Sequence, residues 1–436
     1  MIRRKLPIVA ALASISFALA ASAADWLQWR GPNFNGSADV ANLPDRLDAP
    51  VWQAGLPGPG SSTPIVAGDR VFVSTFEANS RKLIGLCLDL NTGKQLWRAD
   101  IGIQTVTNRQ NNLASCSPVS DGKNVIFYFG TGDLAAFDCD GKELWKRSLS
   151  KDHGAFQVLW LYASSPLLYG GKLYIPVLQR DVASDQWRDR KPDEQAIPSY
   201  ILCIDPATGK DLWKHVRPNA ARIESKESYA TIIPLDAAGR KQLLVVGGDC
   251  VSAHDPETGT ELWRGGGWNP QKTEHWRIVP SAVVAGGNVI VCAPKKGPVL
   301  AFKPDGQGEV TATHLAWASK DITSDAPTPL FYKGNLYIID GDFRKGLTCV
   351  DPATGKVQWF TKLDSKPVLR ASPTGADGKI YCTNEGGEVY ILSAADGKLL
   401  STAALPTNGP ARGSVVALDG RILVRTADRL YLFAHK

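Results

Sequence analysis

Several functional classes are excluded by what the chain lacks. Beyond an N-terminal leader, no run of 18 consecutive apolar residues occurs, whereas a membrane-spanning helix needs roughly 20. No block of five or six basic residues appears, so the concentrated positive face that non-specific nucleic-acid binding requires is missing from the sequence. The eight cysteines (Cys87, Cys116, Cys139, Cys203, Cys250, Cys292, Cys349 and Cys382) are never adjacent and form no C-x-x-C or C-x-x-C-H pair. That spacing rejects zinc ribbons, thioredoxin-type chemistry and c-type haem. No Ser or Cys nucleophile is marked by a motif, so hydrolase chemistry has no positive support. What is present is the balance of a folded protein: 436 residues, 44% hydrophobic and 21% charged, with 41 Gly and 28 Pro.

Arg3, Arg4 and Lys5 precede an apolar run from Leu6 to Ala20 and the small residues Ala21, Ser22 and Ala23. This order reads as a signal peptide over residues 1–23. Its removal takes Lys+Arg from 49 to 46 against 43 Asp+Glu, and the formal charge from +6 to +3. The expectation is a periplasmic or secreted protein, monomeric, with no membrane insertion after cleavage and no nucleic-acid partner. No cysteine lies near the cut, so no lipid attachment is expected there.

The remainder is organised by one recurring string: CLDLNTGKQLW from Cys87, CIDPATGKDLW from Cys203, AHDPETGTELW from Ala253 and CVDPATGKVQW from Cys349. AFDCDGKELW from Ala136 is one residue shorter, Ile391 to Ser401 carries Ser401 where the Trp belongs, and Ala301 to Trp317 is a stretched variant. These seven copies recur every 42 to 68 residues, the period of four-stranded propeller blades with loop insertions. Within the string, Asp hydrogen-bonds inside the turn, Gly supplies positive φ, and Trp offers a plate for packing between blades. The residue ten before the Trp is Cys87, Cys203, Ala253 or Cys349 in the full copies, and Ala136 stands nine before Trp145 in the short one, which makes these thiols small hydrophobes rather than disulfide partners. One bridge among Cys116, Cys139 and Cys250 is left open.

After Ser401 only three strand candidates remain, at 414–418, 421–426 and 429–434, while Val51 to Leu56 forms a solitary strand carrying Trp52. The first strand is therefore expected to complete the last blade, closing an all-β, eight-bladed propeller over residues 50–436 behind an extension at 24–49. The docking plates are Trp52, Trp97, Trp145, Trp213, Trp263, Trp317 and Trp359.

The A-x-D-x-x-T-G-x-x-x-W string resembles the tryptophan-docking motif of the quinoprotein dehydrogenase propellers. The blades resemble the PQQ-like repeats shared with the BamB-type subunit of the outer-membrane assembly machinery, and Asp25 to Pro32 is similar to the start of exported PQQ-like repeat proteins. The resemblance implies eight blades. In the dehydrogenases it also implies pyrroloquinoline quinone held against a pair of adjacent cysteines, beside a calcium-type ion and a catalytic Asp, and this chain has no adjacent cysteines. No cofactor is expected; quinone with calcium is the alternative.

A propeller site should lie where the loops entering each innermost strand converge on the channel. Those loops carry Arg109, Asn112, His153, Gln157, Trp160, Glu227, Tyr229, His275, Trp276, Arg277, Asp325, Arg370 and Arg412. Guanidinium forks suit carboxylates and rings suit sugar faces. Asn112, Glu227 and Asp325 are oxygen donors that could surround a calcium-like ion, although nothing in the spacing forces them together, and no metal is expected. The insertion at 179–199 reads as a solvated excursion or a partner-binding arm. The expected function is a non-catalytic scaffold that binds a protein partner or surface polymer through these loops. The alternatives are a quinoprotein oxidoreductase of alcohols or sugars and a carbohydrate-binding or lyase propeller.

Overall fold

The computed structural model describes residues 25–106, 108, 111–180 and 198–435. The expected signal peptide and most of the 179–199 insertion lie outside them.

Each repeat folds into a four-stranded antiparallel sheet, and eight such sheets make the propeller. Blades one to seven occupy residues 65–103, 119–148, 167–216, 233–266, 283–319, 330–362 and 374–404. Blade eight joins the two ends of the domain. Its strands Val416–Leu418, Arg421–Arg425 and Arg429–Ala434 are completed on the outside by Trp52–Gly55, with Trp52 opposite Leu432 and Gly55 opposite Arg429. The inner strands are buried on both faces between neighbouring sheets and therefore read as near-continuous apolar runs, whereas outer strands such as Asp211–Val216 alternate exposed and half-buried positions. The core is accordingly a set of slabs between adjacent sheets, as between blades one and two, two and three, and five and six.

The repeated string explains how sheets are held in register. Apart from Trp52, which faces Leu432, each docking Trp lies directly opposite its small residue on the neighbouring strand: Cys87 with Trp97, Ala136 with Trp145, Cys203 with Trp213, Ala253 with Trp263, Ala301 with Trp317 and Cys349 with Trp359. Most of these indoles then reach the turn of the next blade. Trp52, Trp97, Trp145, Trp213 and Trp317 donate Nε1–H to the carbonyls of Leu90, Cys139, Pro206, Pro256 and Pro352, at 2.8–3.2 Å, and each acceptor follows the turn Asp. The ring lies on the turn glycine. A Cβ added at Gly93, Gly141, Gly209, Gly259, Gly355 or Gly397 would stand 2.5–2.7 Å from the indole of the preceding blade. All eight cysteines are free, and burial pushes the Cys87 and Cys203 thiols up to about 12, as small apolar fillers require.

Two junctions depart from this scheme. In blade four Trp263 is fully buried and donates to Gln242 Oε1 at 2.7 Å, while Gly308–Glu309 from the stretched blade-five string adds a fifth, parallel strand beside it. In blade seven Ser401 stands opposite Ile391, and its hydroxyl donates to the Asp45 carbonyl at 2.8 Å. The N-terminal extension thus covers the place an indole would fill; Lys379 secures it through Leu43 O and Asp45 at 2.9 and 2.8 Å.

Gly209→Ala and Gly239→Ala separate indole packing from backbone strain, because both glycines have φ near +72° but only Gly209 faces an indole. Positive φ costs an alanine about 1–2 kcal/mol at either site. Gly209→Ala should lose a further ~1–3 kcal/mol by overpacking, read as a lower urea midpoint. Equal losses would show that the indole contact does not order the blades.

Candidate functional site

The channel wall is built by the residue that opens each innermost strand. Thr63, Ser117, Ser165, Thr231, Ser281 and Thr328 each donate their backbone N–H to the hydroxyl of the next blade's equivalent, Ser117, Ser165, Thr231, Ser281, Thr328 and Ser372, at 2.8–3.0 Å. Ser414 N–H continues the series from blade eight onto Thr63 at 3.0 Å, so that seven such bonds run around the channel. Five of these residues precede Pro, which holds them extended. The hydroxyls accept these bonds and donate none to the described residues, so their own protons are free to face the channel.

The N-terminal segment forms the floor. Trp26 bridges to Val66 in blade one, Leu27 O accepts from Ser120 N in blade two, and Gln28 Oε1 accepts from Leu168 N in blade three. Arg30 then reaches the carbonyls of Pro329 and Pro373, at 2.7 and 3.1 Å, ahead of blades six and seven. Burial lowers the Arg30 pKa to about 9. This crossing places Trp29 in the wall of a cavity of about 520 Å³.

Around the opposite end stand Trp160, Tyr229, Arg277, Arg370, Arg412 and Glu385. Arg277 Nη2 lies 3.3 Å from Asp325, which also meets Arg370 at 3.5 Å; Arg370 reaches Asp342 at 2.8 Å, and Arg412 reaches Glu385 at 2.7 Å. Glu224 accepts from Trp160 Nε1 at 2.8 Å and lies 3.6 Å from Arg277. Glu227 is fully buried behind Tyr229, paired with Arg180, and accepts from Leu159 N at 3.0 Å and the Tyr229 hydroxyl at 2.7 Å. Burial pushes the Glu227 and Asp342 carboxyls upward against the pull of their arginines.

Other sequence candidates lie elsewhere. His153 ends the short helix Leu149–His153, which carries it outward to Asp211 on the outer strand of blade three, 3.0 Å away. Gln157 is buried behind the wall, its side chain donating to Ala155 O at 3.2 Å. Both are therefore corrected out of the mouth, because the helix between blades two and three turns the chain away from the axis. Asn112 donates to Ser61 Oγ at 3.1 Å and lines a neighbouring cavity of about 260 Å³. His275 is exposed, 3.5 Å from Glu224, and Trp276 packs against the core of blades four and five. Arg109 lies outside the described residues. The sequence reading missed Trp29, Glu224, Glu385 and the hydroxyl circle; the recurring Ser/Thr-Pro pairs were the available signal for the last.

A quinone with its calcium ion does not fit this donor set. A divalent cation needs carboxylate oxygens free to meet it, and Glu224, Glu227, Asp325, Asp342 and Glu385 each face a guanidinium. Nor do Asn112, Glu227 and Asp325 share one site. A second group, His215, His254 and Glu261, brings ligand atoms within 4.8 Å of one another. There Arg264 clamps Glu261 at 2.5 and 2.6 Å, both His254 nitrogens are bonded, to Gly259 O at 3.0 Å and Ser252 Oγ at 2.8 Å, and buried Arg217 donates to Ser252 at 2.7 Å. That arrangement repels a cation.

Burial lowers the His254 pKa to about 3, so the folded chain holds it neutral while the unfolded chain protonates near 6.5. Its contribution is complete above pH 6.5 and is lost as pH falls toward 3, at up to about 1.4 kcal/mol per pH unit. Urea unfolding between pH 6.5 and 4.5 should show a shallower pH slope in His254→Gln; an unchanged slope would mean that this ring titrates alike in both states.

The outer membrane protein assembly factor BamB of Burkholderia pseudomallei is 24% identical over 432 residues, covering 97% of this chain and 95% of that protein. A polyvinylalcohol dehydrogenase of a Pseudomonas species is 22% identical over 449 residues; the match covers 85% of this chain but only 65% of the dehydrogenase. Among solved structures, a europium-containing methanol dehydrogenase superposes with a TM-score of 0.71 at 12% identity, over 95% of this chain and 98% of that one, which speaks to fold alone. The family described as outer membrane protein assembly factor BamB matches residues 36–195, 202–361 and 345–434, and the chain belongs to that family of PQQ-like repeat propellers.

Proposed function

We propose that this protein is an exported, monomeric, non-catalytic scaffold that engages a partner protein through the loops around its channel mouth. The observation that carries the reading is the state of the mouth carboxylates: among the described residues Asp325, Asp342 and Glu385 are held by Arg277, Arg370 and Arg412 rather than left open for proton transfer or for a divalent ion. The cavity instead offers guanidinium edges, hydroxyls and aromatic faces, a surface for recognition. Its likeness over nearly full length to an assembly factor supports a protein partner. A polysaccharide end is the second occupant, favoured by the rings of Trp29, Trp160 and Tyr229 in the same wall.

With pyrroloquinoline quinone and calcium the protein should show no thermal shift and no dye-linked oxidation of alcohols or sugars. Immobilised protein should retain defined envelope proteins that an Arg277→Ala/Arg370→Ala variant of unchanged melting temperature releases. Turnover with the quinone would overturn the scaffold reading.

A further inference from the structure

Beside the cavity, the mouth-side loops of blades five to seven form a ledge of positive charge around one exposed ring. Phe343, in the loop between Asn335–Asp340 and Gly346–Val350, is 52% exposed. Lys296, from the corresponding loop of blade five, holds its ammonium 4.0 Å from the Phe343 ring centre, and the Arg344 guanidinium lies 3.8 Å over Phe360.

The loops are fixed to one another rather than merely near. Lys295 N–H donates to Asp325 Oδ1 at 2.9 Å, and Arg344 Nη1 to Asp321 O at 3.4 Å. Lys345 Nζ donates to the carbonyls of Ser365 and Lys366. Lys295, Lys296 and Lys345 adopt φ of 51°, 67° and 50°, a left-handed conformation that glycine would take with less strain. Strained positions held by their surroundings cluster at functional surfaces. Among the described residues no carboxylate pairs with Lys295, Lys296, Arg344, Lys345 or Lys366, because Asp325 and Asp342 are already taken by Arg277 and Arg370.

We propose that this ledge docks an acidic segment of a partner protein: an extended stretch with two or more Asp or Glu side chains on the lysines and an apolar side chain on Phe343. The proposal rests on the scaffold reading and gives its partner a chemistry. Charge complementarity selects the acid. The single exposed ring and the exposed carboxylates of Asp321 and Asp364 on the same rim favour a peptide over a nucleic acid, whose evenly spaced phosphates would meet them.

The test is fluorescence anisotropy of the full chain with a labelled peptide alternating Glu and Leu, its Gln counterpart, and a single-stranded oligonucleotide, at about 50 and 300 mM salt. The Glu peptide should bind, about tenfold more weakly at the higher salt, and the Gln peptide should not. Lys295→Glu/Lys296→Glu should weaken binding at least about tenfold, Phe343→Ala several-fold, and Arg277→Ala by less than about twofold, all with unchanged melting temperatures. Equal binding of the Gln peptide, tighter binding of the oligonucleotide, no binding, or indifference to the ledge variants would each overturn the ledge. If Arg277→Ala alone releases the peptide, the segment lies in the cavity: the ledge falls and the scaffold reading stands. Quinone turnover would overturn the scaffold reading whatever the peptide does.

Discussion

An indole laid on a glycine turn is the contact on which the architecture depends. Hydrogen bonds tie strands within a sheet, but nothing in a ladder tells one sheet where its neighbour belongs. The docking Trp supplies that information. Its face needs a surface without a Cβ, its Nε1–H needs the carbonyl after the turn Asp, and its own sheet must leave a small residue opposite it. All three conditions are met inside one eleven-residue string, so the same local sequence determines both a turn and an interface. Where the string fails, the chain spends other residues at the same place: a parallel strand at Gly308–Glu309 beside Trp263, and the extension around Leu43 and Asp45 beside Ser401.

Regular spacing of the sheets has a chemical consequence at the axis. With every blade set by the same plate, the first residues of the innermost strands come within hydrogen-bond reach of one another, and a Ser or Thr there satisfies the neighbour's N–H while keeping its own proton. The channel wall is therefore rich in donors. Arg277, Arg370 and Arg412 extend that character to the mouth, and the carboxylates among them serve to hold the arginines in place. Trp29 and Arg30 lie across the far end of the channel, Trp29 in the cavity wall and Arg30 bonded to Pro329 and Pro373.

The sequence disclosed what repeats and concealed what does not. Seven copies of one string were enough to number the blades, and the missing strand after Ser401 pointed to Trp52–Gly55 as its replacement, a pairing found with Leu432 to Arg429. Convergence of Trp160, Tyr229, Arg277, Arg370 and Arg412 was also legible, because these residues precede strands whose starts the repeat locates. His153 and Gln157 were misplaced because a five-residue helix interrupts that loop, and so short a helix leaves little periodicity to read. The hydroxyl circle was half visible: Thr231, Ser281 and Ser414 fill the same position without a following Pro, and only three-dimensional equivalence shows it. The crossing of residues 25–38 under the channel left no trace, since non-repeating contacts such as Arg30 with Pro329 and Pro373 have no period.

Relatives on this scaffold are named as dehydrogenases and as assembly factors, so the fold itself is neutral between chemistry and recognition. What separates the two is how the mouth uses its acids. A carboxylate that must grip a divalent ion or move a proton has to be left without a strong partner, which destabilises the apo protein and demands a cofactor in return. Here the partners are already present in the chain. Asp325 is shared between two guanidinium groups, and Glu227 is buried against Arg180 despite a burial that favours its neutral form. Converting such a mouth to ion-dependent chemistry would require removing the arginines that now hold these carboxylates. On the scaffold reading proposed above, the ion pairs that hold the mouth in shape are the same ones that occupy its acids, and recognition falls to the guanidinium edges, hydroxyls and rings around them.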